Sequence, residues 1–373
     1  MNKIKVSVNE PLLNGNEKKY LLNCFNGRFI SSTGKYIDQF ENKFAKKVNR
    51  KYAIAVSNGT VALQLAADSL NIKKDDEIIL PSFTIISCIL PIIRLGAKPI
   101  LVDSDIKTWN MDVSKIEKVI TKKTRAIIVP HIYGLPVDMD PVLKIAKKFK
   151  LKLIEDAAEV LGLKYKNKPC GSFGDISTFS FYANKHITTG EGGMIVTDNR
   201  KIANKCRSLR NIYFNKFKRF VHHGMGWNAR LTNLQASIGL AQLERLNQFV
   251  KIKRKIGDTY NKHLVQSENY SKPLDKTKYA NNIYWVYGIL IKKKNLSVNS
   301  ITKKLLKEGI ETRPFFWPLH QQPFLKKMGL FKNVKLPVSE LLSKNGFYLP
   351  SGLALSEKQQ AYVIKKFNKI VTV

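Results

Sequence analysis

Acidic residues are scarce in this chain of 373 residues. It contains 28 Asp and Glu against 64 Lys and Arg, which gives a formal net charge of +36. Such an excess attracts polyanions in general. Nucleic-acid binders usually concentrate their basic residues in a tail, a stripe or a recognisable module, whereas here they run from Lys3 to Lys369, often in pairs such as Lys73 and Lys74. This even distribution favours a protein whose surface is simply rich in lysine. A basic nucleic-acid-binding protein stays open as an alternative function.

Long apolar runs and clustered cysteines are missing as well. The longest uncharged stretch near the middle, residues 78–93, contains Pro81 and Pro91 and is too short and interrupted to cross a membrane. The first residues, MNKIKVSVNE, have no apolar run of the kind that a secretory signal needs. The four cysteines stand far apart without a CxxC pair. We therefore expect a cytoplasmic protein with free thiols, no metal centre and no membrane contact.

Short apolar runs alternate with helical patterns between residues 50 and 200. Apolar runs without polar alternation are typical of strands that are covered on both faces. The sequence therefore predicts an α/β fold with a mainly parallel sheet and helices on both sides. The predicted strands lie at residues 53–57, 77–81, 98–103, 124–134 and 151–156, and a further one at 177–181.

A different pattern follows from residue 232 onwards. Residues 232–256 predict one long helix, with Thr232 as its cap. Strands at 282–291 and 311–318, a helix at 297–310 and a last helix at 357–370 then indicate a small α+β unit. We predict three parts: an N-terminal arm at 1–30 that joins the small domain, a large domain at 31–245 and a small C-terminal domain at 246–373.

Two motifs follow predicted strands, where ligands bind in α/β sheets. The first, SNGT at 57–60, precedes a helix, and Gly59 allows close approach of the backbone. Free N–H groups at a helix start can hold a phosphate, although a plain strand-to-helix turn is the commoner explanation for this motif alone. In the second, EDAAE, Asp156 is either a helix cap or a carboxylate that keeps a pyridine nitrogen protonated.

A third motif, SFYANKHITTGEGG at 180–193, contains Lys185 between an apolar strand and a glycine turn that enters another strand. This setting differs from that of the solvated lysine pairs elsewhere. A lysine amine can bond covalently to an aldehyde cofactor and, once released, carry a proton between carbon atoms. The SNGT motif as a phosphate site, then Asp156, then Lys185, in this order along the chain, suggest pyridoxal phosphate as the cofactor.

Ordered motifs along nearly the whole chain resemble the DegT/DnrJ/EryC1/StrS sugar aminotransferase family. They include SNGTVALQLA, IEDAAE, GSFGDISTFSFYANK, TTGEGGMI and ETRPFFWPLH. The resemblance implies a fold-type-I pyridoxal phosphate enzyme, with a seven-stranded type of sheet and a homodimer with shared active sites. It also implies L-glutamate as the amino donor and a nucleotide-linked keto sugar as the acceptor.

The wording of the motifs is most similar to that of family members that aminate C4 of GDP-4-keto-6-deoxymannose. The same chemistry on a dTDP- or UDP-linked sugar, or at C3, stays open. A more distant alternative is a sugar dehydratase, because the related dehydratases have a closely similar stretch. They differ in carrying histidine where this chain has Lys185. Lysine at this position favours amination over loss of water.

The resemblance also implies roles for individual residues. By this resemblance Lys185 is the lysine that bonds covalently to the cofactor, Asp156 is the partner of the pyridine nitrogen, and Glu159 lies near the cofactor's 3-hydroxyl. The remaining cofactor contacts implied are Gly59, Thr60 and Ser180 at the phosphate, Phe83 stacked on the ring, and Asn228 at the phosphate of the neighbouring subunit's cofactor. Segments that contact the nucleotide sugar in relatives contain Ser32, Arg230, Arg313 and His320.

A purely structural role is also possible for each of these last residues. Arg230 would serve equally well in an interface salt bridge, and His320 as a surface loop residue. Phe315, Phe316 and Trp317 are expected mainly to pack, with one of them as a candidate for lining the sugar pocket. His186, next to the lysine, is expected either to support the site or to contact the sugar.

Overall fold

Seven strands form one central sheet in the computed structural model, which describes residues 4–214, 218, 220–293 and 296–372. The spatial order is β1-β9-β8-β5-β4-β2-β3, and all neighbours are parallel except that β9 runs antiparallel to β1 and β8. The prediction of a mainly parallel α/β sheet is confirmed. The strands are β1 (Tyr52–Val56), β2 (Glu77–Pro81), β3 (Lys98–Val102), β4 (Thr124–Pro130), β5 (Lys152–Asp156), a separate hairpin of β6 (Lys164–Tyr165) and β7 (Lys168–Pro169), β8 (Ile176–Ser180) and β9 (Gly193–Thr197).

Helices cover both faces of this sheet. Leu153 and Ile154 are neighbours in β5, yet they belong to two different buried clusters, because successive side chains of a strand point to opposite faces. None of the described helices combines the length and apolarity that crossing a lipid bilayer requires. The helices are α1 (Glu17–Asn26), α2 (Lys35–Lys47), α3 (Gly59–Ser69), α4 (Leu90–Arg94), α5 (Met139–Lys148), α6 (Arg200–Arg210), α7 (Asn233–Glu244), α8 (Leu246–His263), α9 (Val298–Lys307), α10 (Pro323–Lys327), α11 (Pro337–Asn345) and α12 (Glu357–Val371).

The single helix predicted at 232–256 is wrong, because the chain bends at Arg245 and forms α7 and α8. Its start is confirmed: the Thr232 side chain accepts a hydrogen bond from the Gln235 backbone in a capping box. Tertiary packing explains the bend, since α7 lies against α1 and α2, whereas α8 lies against α12. One straight helix could not follow both surfaces.

Four antiparallel strands form a second, smaller sheet in the order β10-β11-β13-β12. They are β10 (Tyr270–Ser271), β11 (Tyr287–Ile291), β12 (Arg313–Pro314) and β13 (Gly346–Leu349). The strand predicted at 282–291 begins only at Tyr287, because the residues before it bond to the large sheet's loops, as in the 3.0 Å bond from the Ile283 amide to the Gly134 carbonyl. The strand predicted at 311–318 shrinks to Arg313–Pro314. Pro314 and Pro318 have no amide proton to donate to a neighbouring strand, which explains why the strand does not continue.

The N-terminal segment contacts the elements of the smaller sheet. Val6 forms a bridge with Ile310, and the Val8 amide donates to the Glu311 carboxylate at 3.0 Å. The three domain limits given above remain a prediction. Residues 1–3 of the predicted arm and residue 373 of the predicted C-terminal domain lie outside the described residues.

Candidate active site

The predicted cofactor residues meet at one edge of the large sheet. Asp156 ends β5, Ser180 ends β8, and Gly59 opens α3 just after β1. Because β9 is antiparallel to both β1 and β8, the carboxyl ends of β1 and β8 lie at the same edge as that of β5. This edge is where α/β sheets bind ligands.

The start of α3 is packed closely against the end of β8. The Asn58 side chain caps the helix by accepting from the Val61 amide at 2.9 Å. A Cβ atom on Gly59 would stand 2.8 Å from Ser180 Cβ, so no larger residue fits. The Thr60 hydroxyl is hydrogen-bonded to that of Ser87 at 2.8 Å. The arrangement gives a helix N-terminus that can receive an anion, as the phosphate prediction requires.

Asp156 is a buried carboxylate, 6% exposed. Its oxygens accept from the Ala158 amide at 3.1 Å and from the Cys88 thiol at 3.4 Å. Burial raises the pKa of Asp156, while the Ala158 amide and the charge of Lys185 oppose the rise. A buried carboxylate of this kind is stabilised by a cationic partner, and a protonated ring nitrogen is such a partner.

The Lys185 side chain lies between an acid and an aromatic ring. Its Nζ is 3.6 Å from Glu159 Oε1 and 3.7 Å from the centre of the Trp285 ring, and the side chain is 12% exposed. The loop that presents it, residues 181–192, is closed on itself by hydrogen bonds from the Thr189 amide and the Thr188 hydroxyl to the Phe181 carbonyl.

Glu159 faces Lys185 from the segment after β5. Its second oxygen accepts from the Tyr133 amide at 2.8 Å. Burial raises the pKa of Glu159 to about 7, although the charge of Lys185 opposes the shift. The carboxyl group therefore changes charge close to neutral pH.

Aromatic side chains build one wall of the site. The Phe83 ring is 6.0 Å from that of Tyr133 and 5.9 Å from those of Phe315 and Phe316. The packing expected of Phe315 is confirmed, since it is 4% exposed. Trp317 is 56% exposed and lines a cavity together with Arg313, so its lining of a sugar pocket stays a prediction.

Asn228 and Arg230 lie in a segment that is bonded to the end of β1, and Ser32 lines a cavity beside Arg230. The Ser57 amide donates to the Ala229 carbonyl at 2.9 Å, which joins this segment to the end of β1. Arg230 donates to Asn228 Oδ1 at 2.9 Å and to Asn211 Oδ1 at 3.2 Å. Ser32 and Arg230 line the same cavity of about 350 Å³. Their contacts with a substrate, and that of Asn228 with a neighbouring subunit, stay predictions.

Arg313 and His320 lie apart from that cavity. Arg313 pairs with Glu311 at 2.6 Å and lines a separate cavity of about 900 Å³. His320 is 3% exposed, so the surface-loop alternative is wrong. Its ring nitrogens are bonded to the Ser82 hydroxyl at 2.7 Å and to the Glu340 carboxylate at 3.0 Å. These bonds hold the segment that carries Phe83, and a sugar contact of either residue stays a prediction.

His186 is 1% exposed, and neither of its ring nitrogens has a hydrogen-bond partner among the described residues. Burial lowers the pKa of His186 well below its usual range, and the charges of Lys253 and Lys185 add to the effect. Its imidazole is therefore neutral. A contact of His186 with the sugar stays a prediction.

The sequence did not single out Trp285, Lys253 or Cys88. Lys253 Nζ is buried and donates to the carbonyls of Trp285, at 2.7 Å, and Ser351. One signal was available, because Lys253 shares a helical face with the buried Phe249 and Tyr260 of α8, where a charge is unusual. Nothing in the local sequence marks Trp285.

One buried group among the described residues, His131, Glu155 and Cys170, has the proximity of metal ligands. Its acceptors are engaged within the protein, however. His131 bonds to Glu155 at 3.1 Å and accepts from the Val137 amide at 3.1 Å, while Glu155 accepts from the Gly171 amide at 2.6 Å. These bonds make it a structural network that braces the strand carrying Asp156.

Comparisons with known proteins agree with this geometry. Residues 11–368 match the model of the DegT/DnrJ/EryC1/StrS aminotransferase family. The chain is 43% identical to a GDP-perosamine synthase of Escherichia coli O157:H7, over 98% of each chain. Among solved structures, Helicobacter pylori PseC, an aminotransferase involved in the biosynthesis of pseudoaminic acid, is 25% identical, with a TM-score of 0.92 over 98% of this chain and 99% of that one.

A dehydratase is similar in fold as well. The E. coli GDP-4-keto-6-deoxy-D-mannose-3-dehydratase with bound hydrated PLP is 26% identical, with a TM-score of 0.89 over 98% of this chain and all of that one. The fold alone is therefore shared by amination and dehydration.

Proposed function

From the premise that this chain belongs to the DegT/DnrJ/EryC1/StrS aminotransferase family, we propose that it makes GDP-perosamine. In this proposal the amino group of L-glutamate is transferred to C4 of GDP-4-keto-6-deoxymannose, with pyridoxal phosphate as the cofactor. The product is an activated amino sugar for polysaccharide such as O-antigen. The observation that carries the proposal is the amine of Lys185 at the ligand edge of the sheet, 3.6 Å from Glu159, in a chain 43% identical to a GDP-perosamine synthase.

The side chains of the site fit the three chemical groups of pyridoxal phosphate. Gly59, Thr60 and Ser180 would hold the phosphate at the start of α3, and Asp156 would hold a proton on the ring nitrogen. Phe83 would lie against the ring, and Lys185 would bond to the aldehyde carbon. The bound cofactor supplies an electron-withdrawing ring that stabilises negative charge on carbon during the transfer.

Lys185 has the central task in the proposed transfer. With the cofactor bound, its free Nζ would act as the base that takes a proton from the α-carbon of glutamate and as the acid that then gives this proton up. In the second half of the reaction it moves a proton in the opposite direction, toward C4 of the sugar. Phe83, Tyr133 and Phe316 belong to one cluster of aromatic side chains, with Phe316 partly buried at its margin.

Dehydration is the second candidate, and two observations weigh against it. The dehydratase relative is 26% identical, whereas the synthase relative is 43% identical over nearly the same length. A lysine amine also stands at position 185, where the dehydratases have histidine.

We also propose a homodimer with shared active sites in the cytoplasm. Large apolar side chains are exposed near the site, including Phe29 at 59%, Tyr182 at 49% and Trp227 at 49%. Exposed apolar surface of this kind is typical of an interface. The four cysteines are buried and free, as is usual for a reducing compartment.

The test is an amination assay with L-glutamate and a panel of GDP-, dTDP- and UDP-linked keto sugars, with each product identified by mass and NMR. We expect a yellow protein whose absorbance changes with glutamate and which prefers the GDP sugar. A clear preference for a dTDP or UDP sugar would contradict the perosamine assignment and leave the aminotransferase one standing. No reaction with any keto sugar would contradict both.

A further inference from the structure

Trp285 contacts the amine of Lys185 directly. It lies in the stretch just before β11, outside every motif that marked the site, and is 4% exposed. Lys185 Nζ is 3.7 Å from the ring centre, well within the distance at which the face of an indole attracts a cation. Glu159 Oε1 approaches the same Nζ at 3.6 Å. The ammonium group therefore has two partners, one anionic and one aromatic.

Hydrogen bonds fix the position of Trp285 relative to the lysine loop. Its indole Nε1 donates to the carbonyl of Asn184, the residue before Lys185, at 2.8 Å. Its own carbonyl accepts from the buried Nζ of Lys253 at 2.7 Å. Its ring also packs against Tyr133, with the ring centres 6.0 Å apart. The indole thus holds both the backbone before Lys185 and the end of the Lys185 side chain.

We propose that Trp285 is a positioning residue for Lys185. The indole face holds the Lys185 amine beside Glu159 whenever that amine is not bonded to the cofactor, and the indole N–H fixes the loop that carries it. The inference rests on the proposed function, because the proposed transfer releases Lys185 and then needs it as the proton carrier. A flexible side chain released into an open site would be badly placed for that step, and a displacement of about 1 Å can cost about 100-fold in rate.

The first test compares Trp285→Leu, which removes the ring face, with Trp285→Phe, which keeps a smaller ring but removes the N–H. Single turnover is followed by absorbance with ordinary and α-deuterated L-glutamate. We expect the rate to fall by about 30-fold or more in Trp285→Leu and by less in Trp285→Phe. The deuterium isotope effect should rise in both, because proton transfer becomes slower than the other steps, while KM for glutamate changes little.

Phe367→Leu is the matched control, since Phe367 is a fully buried ring in the core of the smaller sheet. It should lower Tm, as loss of a buried ring does, and leave the isotope effect at the wild-type value. An isotope effect in Trp285→Leu equal to that of the wild type would overturn the proposal and leave Trp285 as a packing residue.

A second test needs no activity. Tm of the cofactor-free protein is measured for Lys185→Met, Trp285→Leu and the double variant. If ring and amine interact, the two losses are non-additive, and we expect the difference to reach about 1 °C or more. Additive losses would contradict the contact. If the wild type fails to react with glutamate while the losses are non-additive, the proposed function is wrong and the contact itself stands.

Discussion

Lys185 and His186 are adjacent in the chain but lie in different surroundings. The lysine side chain reaches an acid and an indole at the open edge of the sheet. The histidine is enclosed, with its charged form disfavoured by burial. The amine therefore lies where a ligand at this edge of the sheet can reach it, whereas the imidazole is enclosed in the protein interior.

Replacing Lys185 by Ala removes the group that bonds to the cofactor and carries the proton. We expect kcat to fall by more than about 1000-fold, and the adduct trapped by borohydride to disappear. Mass spectrometry of the reduced protein checks the adduct. Lys166→Ala, which removes an exposed lysine paired with Asp140, should retain both. A surviving adduct in Lys185→Ala would show that another amine binds the cofactor.

Glu159 gives the site a pH dependence near neutrality. Its pKa is raised to about 7 by burial, so its carboxylate faces Lys185 above that pH and is protonated below it, with Asp156 as the other nearby acid. We expect the absorbance of the cofactor-bound protein to change between pH 6 and 8, and the Glu159→Gln variant to lose this change. Glu357→Gln, at an exposed acid, should behave as the wild type. A transition that persists in Glu159→Gln would assign it to another group.

At the scale of elements, the contact between the start of α3 and the end of β8 sets the room for a phosphate. A methyl group on Gly59 would stand 2.8 Å from Ser180 Cβ and push the helix away from the strand. Because a displaced helix start no longer presents its N–H groups to the phosphate, we expect Gly59→Ala to bind the cofactor about tenfold or more weakly. Titration of the cofactor-free protein measures this. Arg200→Ala, at the first position of the Asn-capped helix α6, should bind normally.

Helix α8 carries a buried amine whose charge affects stability. Burial lowers the pKa of Lys253 to about 7, whereas an unfolded lysine stays near 10.4. Between about pH 7 and pH 10.4 the unfolded chain binds more protons at this lysine than the folded protein does, so the free energy of unfolding rises with pH. Below about pH 7 the lysine is charged in both states, and the folded protein bears the full cost of burying that charge. Lys253 can change the free energy of unfolding by at most about 1.4 kcal/mol per pH unit.

The corresponding variant is Lys253→Met in the cofactor-free protein. Between pH 7 and 9 the wild type should gain stability relative to this variant, as measured by Tm at each pH. Lys255→Met, at an exposed position of the same helix, should follow the wild type. Parallel curves for the wild type and Lys253→Met would show that Lys253 keeps its proton in the folded state throughout.

Over the whole molecule, the features that could be predicted from the sequence are those that depend on a local residue pattern. Uninterrupted apolar runs gave the strands of the large sheet, and Asp156 and Lys185 stood out because each follows such a strand. Trp285 and Lys253 were missed because their partners are distant in the chain, as in the contact of Trp285 with Lys185. The bend at Arg245 has the same cause, since packing of α7 and α8 on different surfaces overrides a continuous helical pattern.

The proposed dimer is tested at the exposed apolar surface near Ser32. Phe29→Asp places a charge on a side chain that is 59% exposed, where a partner subunit would desolvate it. We expect monomers in sedimentation velocity and at least about a tenfold loss of kcat, because the proposed sites are shared. Phe324→Asp, at an exposed ring of α10, is the control and should stay dimeric. A dimeric Phe29→Asp protein would exclude this surface from the interface.

The antiparallel pairing of β9 has a consequence for the order in which the protein folds. β8 and β9 are joined by the short loop that carries Lys185, so their pairing closes only a short loop. β9 and β1 are far apart in the chain, and their pairing, as of Thr197 with Tyr52, closes a long one. Short loop closures are entropically cheaper and generally faster. We expect the β8–β9 pair, with the loop that carries Lys185, to form at an early stage of folding, while the helix N-terminus that would hold the phosphate meets β8 only when β1 docks. A folding chain would then carry the reactive amine before it can retain the cofactor.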